Sequence, residues 1–239
     1  MKFYKHLFFL YILILPGYLL AQEVNDNFDI ATSSMRFPHH YNECRLQKSL
    51  GFSMVKLPFD WVENAIEAPL VNFHMTFGLP VGFSIEGDVT TIFVSNQLTI
   101  GPRWNYRHNN FSFNLGYDLA FAFGQMKVAG FDNNVKAWIH YPNLSIGFKI
   151  KDVAFTLNGE VVVLAHTSTR AGQNEITHSS NFFDGGTGAL YIEQRLWGDH
   201  VFILGLKDSY LKFYWPAWPV FSTFNRFYHI PEIYFSWII

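Results

Sequence analysis

The stretch Phe111–Phe123 alternates without a break. Phe113, Leu115, Tyr117, Leu119, Phe121 and Phe123 fall on one face, and Ser112, Asn114, Gly116, Asp118, Ala120 and Ala122 fall on the other. A period of two belongs to a β-strand, whose successive side chains leave opposite faces of the sheet. The contrast between the faces constrains the fold most: one is bulky and apolar, the other small or polar. The pattern recurs from Pro69 onward. Val71, Phe73, Met75 and Phe77 oppose Asn72, His74 and Thr76; Phe83 and Ile85 oppose Ser84, Glu86 and Asp88; Leu98, Ile100 and Trp104 oppose Thr99, Arg103 and Asn105. The last stretch, Ile230–Ile239, sets Ile233, Phe235, Trp237 and Ile239 against Glu232, Tyr234 and Ser236. Such a greasy edge invites aggregation in water. Closed against a first strand and facing lipid, it is stable.

Composition decides between a soluble and a membrane barrel. Aromatic residues make up 19% of the 239 residues and charged ones 15%, against ~25% charged in soluble domains. Mean hydropathy is only +0.08, and after the first 22 residues no apolar run reaches the ~18 that a spanning helix needs. These observations together predict an all-β chain, an antiparallel up-and-down transmembrane β-barrel. Nine strands are counted from Val71 onward. Because such barrels close with an even number, Ser49–Leu57 is taken as one more, giving about ten, with eight as the alternative if two segments merge. The net charge of −2 gives no electrostatic ground for binding nucleic acid.

Connections and aromatics supply an orientation. Arg107–Asn110, Lys151-Asp152 and Trp197–His200 are short, whereas Gln125–Ile139, His166–Gly186 and Phe213–His229 read as long loops. Trp104, Tyr106, Trp197 and Trp237 fall at the short-turn end, and Trp138, Trp215 and Trp218 at the other. Two aromatic belts about an apolar band match the two interfaces of a bilayer. At the start of the chain, Lys2 and Lys5 precede an apolar run and Ala21, the pattern of a signal peptide over 1–21. Residues 22–48 are expected as a periplasmic lead-in, 49–239 as the barrel, and 58–68 as a short amphipathic segment. His39, His40, Glu43 and Cys44 are ligand types lying close together, but no second cluster completes a shell. No metal or cofactor is expected, and a lone cysteine excludes an internal disulfide.

On the signal, the alternating strands, the loop asymmetry and the aromatic last strand, the chain resembles the Gram-negative outer-membrane β-barrel proteins, in the manner of a small porin-like barrel. The resemblance implies the cell outer membrane, a periplasmic C-terminus, contact with outer-membrane lipid and lipopolysaccharide, and insertion by the barrel machinery through the C-terminal strand.

Function is carried by whatever the alternation turns inward. Arg103, Asp118, Lys149, Glu160, Glu193, Arg195 and Glu232 are expected to line the lumen, with Glu86 and Asp88 beside them. They constitute either a narrow conduit for a small polar solute, leaning towards cations, or a network of paired buried charges, the simpler reading for so small a barrel. Separately, His178-Ser179-Ser180-Asn181 resembles the His-x-Ser-Asn pattern of outer-membrane lipid A deacylases. That resemblance implies Ser180 as nucleophile, His178 as its base, Glu193 orienting the His and Asn181 at the oxyanion; by position they fall in a long polar loop, and no catalytic residue is favoured. The loop carrying Trp215, Trp218 and Phe221 is read as an outer aromatic belt or a binding platform. A channel or transport-associated barrel is the leading expectation. A non-conducting surface-binding barrel and a lipid A-modifying hydrolase are the alternatives.

Overall fold

The computed structural model describes residues 28–58, 67–92, 94–128, 131–171, 174–197, 200–218 and 226–239. The proposed signal peptide, most of the 58–68 segment and Phe221 lie outside these residues. Ten antiparallel strands close into one up-and-down barrel, each paired with its neighbours in sequence, and β1 (Leu46–Lys56) sealed to β10 (Tyr228–Ile238). Between them run β2 (Glu67–Gly78), β3 (Phe83–Ile92), β4 (Ser95–His108), β5 (Phe111–Val128), β6 (Phe131–Ile150), β7 (Val153–Ala171), β8 (Asn174–Trp197) and β9 (His200–Leu211). The closing seam runs in register from Ser49↔Ile238 to Val55↔Glu232. The first strand begins at Leu46, three residues ahead of expectation.

The alternation resolves as expected. Leu98, Ile100, Leu115, Leu144, Ile146, Leu157 and Phe111 are exposed on the outer wall, while Asn72, His74, Ser84, Arg103, Asn114, Asp118 and Glu193 are buried inside. A soluble barrel does not expose an apolar band this continuous; a barrel in lipid does. At the short-turn end Trp104 and Tyr106 pack on Phe113, with ring centroids 5.5 and 5.4 Å away, and Phe52 lies 6.0 Å from Trp237. At the far end Trp138 sits 4.6 Å from Phe121.

Two expected loops are strands instead. Gln125–Ile139 and His166–Gly186 continue the hairpins β5–β6 and β7–β8, with strand pairing running out to Val128↔Phe131 and Ala171↔Asn174. Their polar, weakly alternating sequence hides the ladder, because beyond the bilayer neither face must be apolar. These four strands have 18, 20, 19 and 24 residues, where about 9–11 tilted residues cross a bilayer. The hairpins therefore stand well clear of the wall, and the asymmetry between the ends lies in strand length more than in irregular loop.

The N-terminal segment also differs from a free lead-in. Residues 28–45 fold into the short-turn end of the lumen as a plug. It opens with α1 (Ile30–Ser33), a single turn whose N-cap Asp29 accepts from the Ala31 N–H at 3.1 Å. The same carboxylate pairs with Arg107 and Lys149 of the wall, tying the plug's start to β4 and β6. Ile30, Ala31, Met35 and Phe37 are fully buried against inward residues such as Ala154, Val201 and Ile203. Phe37 needs a wall position without a side chain: a Cβ on Gly147 would lie 2.7 Å from its ring. The same Cβ would also crowd Ser112 Oγ of β5, so Gly147→Leu combined with Ser112→Gly is expected to expel the plug while leaving the barrel closed. Trypsin should then cut at Arg36 in a barrel that still migrates as folded; protection of Arg36 in this variant would contradict the packing.

Candidate functional site: a lumen stoppered at both ends

The lumen is where polar side chains converge, and its centre is Arg103. Its guanidinium forms a two-pronged pair with Asp118, Nη1 to Oδ1 at 2.8 Å and Nη2 to Oδ2 at 2.7 Å, while Nε lies 3.2 Å from Glu86. Asn143 donates a further hydrogen bond to Asp118 at 3.0 Å. Next to this cluster, His74 Nδ1 lies 2.7 Å from Asp88, which faces Arg36 of the plug at 3.6 Å. Lys207 and Glu232 pair across β9 and β10 at 3.6 Å. The planar fork of Arg103 matches a carboxylate edge on. Removing one partner of such a buried pair strands the other at a cost of about 3–5 kcal/mol. The network reading of the inward charges therefore describes what is present.

Glu193 has a different task. It is fully buried and accepts three consecutive backbone N–H bonds from the plug: Met35 at 2.7 Å, Arg36 at 3.1 Å and Phe37 at 2.6 Å. Arg36 then lies between Tyr191 and Tyr234, its guanidinium 5.2 and 5.5 Å from their ring centres. Asp184, on the same strand, does the equivalent at the far end. It occupies a β-bulge, where Val162↔Gly185 is followed by Val163↔Phe183. A bulge re-aims a side chain, here inward, and Asp184 accepts from the Phe213 N–H at 2.7 Å.

That bond starts a second stopper. Phe213, Tyr214, Trp215, Ala217 and Trp218 are buried in the barrel mouth against Ala120, Ala122, Val135, Ala137, Val162 and Leu164, and Trp218 Nε1 donates to Ser95 Oγ at 2.7 Å. Trp215 and Trp218 are thus neither lipid-facing belt nor exposed platform. They fill the mouth because the upper inward positions of β5–β7 are small and apolar, leaving a greasy socket. Between plug and mouth remains a polar cavity of about 140 Å³, lined by Arg36, Asp88, Glu160, Tyr141, Lys207 and Tyr214 among others. At ~30 Å³ per water in the liquid, it holds only a few waters.

The other expected site residues are dispersed. Lys149 serves Asp29 at the plug rather than the open lumen, and the Arg195 guanidinium lies 4.3 Å over the Phe28 ring. His178, Ser180 and Asn181 lie in strand β8 rather than in a loop, at positions paired with or near Ser168 and His166 of β7; their side chains lie outside the description. Fifteen residues of one strand separate His178 from Glu193, roughly 50 Å at ~3.3 Å per residue, so Glu193 cannot orient that imidazole. Lys207 was legible as an inward residue, since Phe202, Leu204 and Leu206 face out. Arg36 and Asp184 were not, because neither a plug nor a bulge leaves a period.

Two measurements probe the plug. Glu193→Gln keeps the shape but loses the charge that accepts three N–H bonds, at about 1.5–3 kcal/mol for a hydrogen bond to a charged group. A spin label on the exposed Cys44 should then show release at lower urea than in the parent; an unchanged midpoint would exclude the latch. Acid should act as well. Burial pushes His39 down to about 4 from 6.5, outweighing its bond to the Phe37 carbonyl and the nearby Asp29. Above pH 6.5 the imidazole is neutral in both states and the plug is fully held. Between 6.5 and 4 only the released plug takes up the proton, so its stability falls as pH falls. The Cys44 label should loosen across that window, and His39→Gln should remove this component.

No protein-family model matches the chain, and no curated protein matches it. Among solved structures, Neisserial surface protein A aligns over 81% of this chain and 94% of its own, at 12% identity and a TM-score of 0.37. Ail, the attachment invasion locus protein of Yersinia pestis, aligns over 82% and 98%, at 6% identity and a TM-score of 0.29. The CymD monoaromatic hydrocarbon channel aligns over 94% and 73%, at 9% and 0.39. The closed ten-strand barrel rests on the strand pairing itself, and these distant likenesses add nothing to it.

Proposed function

We propose that this chain is an outer-membrane barrel whose lumen is closed to solutes and whose working part is the sheet raised above the bilayer by β5–β8. One observation carries this reading: both ends of the lumen are filled by the chain itself, each stopper held by a buried carboxylate accepting backbone N–H bonds. A few waters' worth of cavity between two stoppers is not a path. The apolar outer wall supports the membrane placement. The raised sheet supports a surface role, because β9 pairs with β8 only from Gly185 onward and β4 pairs with β5 only up to Gly124. One more backbone bond closes each side, Gln125 N–H to Val94 O and Lys212 N–H to Asp184 O; beyond these the described ladder pairs the two outer strands of the sheet only inward, and an unpaired edge is a template for an added strand.

A gated conduit is the second reading, favoured by the charged lining that survives between the stoppers. Planar-bilayer conductance separates the two. The refolded parent and Glu193→Gln are both expected to be electrically silent. Discrete openings in the parent would overturn the closed reading; openings in the variant alone would make the plug a gate, with Glu160→Gln expected to weaken their cation preference.

A further inference from the structure

We infer that the outer wall of β7–β10 and β1 carries a binding groove for one membrane phospholipid, a site distinct from the lumen and independent of whether the lumen conducts. The outward residues of these strands form rows fixed by register. One row is Leu157–Leu190–Leu206–Ile233–Met54, each paired with the next. One step towards the raised hairpins the row becomes Gly159–Gly188–Asp208–Pro231. At β7 and β8 the wall thus loses its side chains where the leucine row ends, while Asp208 and Pro231 continue the row on β9 and β10. A Cβ built on Gly159 or Gly188 meets nothing within 4 Å, so neither glycine is needed to admit a neighbour from the protein itself. The result is a groove of about 650 Å³ lined by Met54, Leu157, Gly188, Leu206, Pro231 and Ile233.

The surroundings place the groove at the level where headgroups meet hydrocarbon. Below it the row is leucine and isoleucine, with Leu157 60% exposed. Above it Asp208 pairs with His229 at 2.9 Å, and Tyr210 lies between His229 and Phe227 with ring centroids 4.6 and 5.0 Å away. Charges and aromatics above an apolar band mark a bilayer interface. Lys56 is a further cation at the β1 end of the groove.

Three occupants fit an apolar groove, and the geometry points to one. A second barrel would bring a convex wall to a hollow, and stable association needs ~800 Å² per partner of matched surface. Lipid A carries several phosphates and calls for a cluster of cations, whereas the charged residues lining this groove are balanced, Lys56 and Lys207 against Asp208 and Glu232, with Glu232 paired to Lys207 and Asp208 to His229. A zwitterionic phospholipid needs one slender acyl chain accommodated and a near-neutral rim, and both are present.

The test fills the hollow. Gly159→Leu/Gly188→Leu places two outward side chains whose Cβ atoms meet nothing within 4 Å, so the variant is expected to fold, as heat-modifiable mobility verifies. Parent and variant in detergent are given phosphatidylethanolamine, washed, and weighed by native mass spectrometry, with Ile146→Leu on the far wall as control. The parent and the control should each retain one lipid per barrel, and the variant at least tenfold less. Equal retention by all three would reduce the site to ordinary annular lipid and overturn it. Preferential retention of lipid A in a competing arm, or a dimer of the parent that the variant lacks, would overturn the assignment of the occupant.

Discussion

A barrel that closes in lipid has one place to put its polar side chains. Every strand that turns Phe, Leu or Trp outward must turn its alternate residues inward, and ten strands leave too little width for those residues to remain hydrated. A charge inside must then meet a partner or be removed. This constraint accounts for Arg103 gripping Asp118 and Glu86, for Asp88 shared between His74 and Arg36, and for Lys207 against Glu232. It also explains why one of these cations, Arg36, comes from outside the wall: the inward acids outnumber the inward bases that the strands themselves supply.

The two stoppers follow from the same economy of space. At the short-turn end what enters is a segment of backbone whose N–H groups satisfy Glu193, while Ile30, Met35 and Phe37 pack on the inward Ala154, Val201 and Ile203. At the raised end the inward positions are Ala, Val, Ile and Leu, and what enters is an aromatic segment with one hydrogen bond from Trp218 to Ser95. In both cases a carboxylate on β8 orients the first backbone donors. The barrel therefore has a folded core of its own, a charged centre between two packed apolar ends.

Much of this was legible in the sequence, and the boundary is physical. Period two identified the strands and their outward faces wherever lipid demands an apolar side, as in Phe111–Phe123. It failed at Gln125–Ile139 and His166–Gly186, where the outward face no longer has to be apolar and the alternation weakens, even though Val135, Ala137 and Ile139 still turn inward onto the mouth stopper. Alternation reports direction, and Asp118, Glu160, Glu193 and Glu232 lie on the face opposite the apolar one. Their partners it could not report, since Arg36 arrives from a segment with no periodicity and Asp184 depends on a bulge that shifts the register. The aromatic run at 213–218 misled in a different way: aromatic content suits an interface and a buried stopper equally, and only the small inward residues of three distant strands decide between them.

The account rests on the plug being a folded part of the barrel. Hydrogen exchange of the refolded protein in lipid bilayers addresses this directly, read at the amides of Met35, Arg36 and Phe37. Bonded to a buried carboxylate, they should exchange as slowly as the amides of β8 that flank Glu193. Exchange at the rate of an unstructured peptide would show an empty lumen, and the closed barrel described above would have to be abandoned.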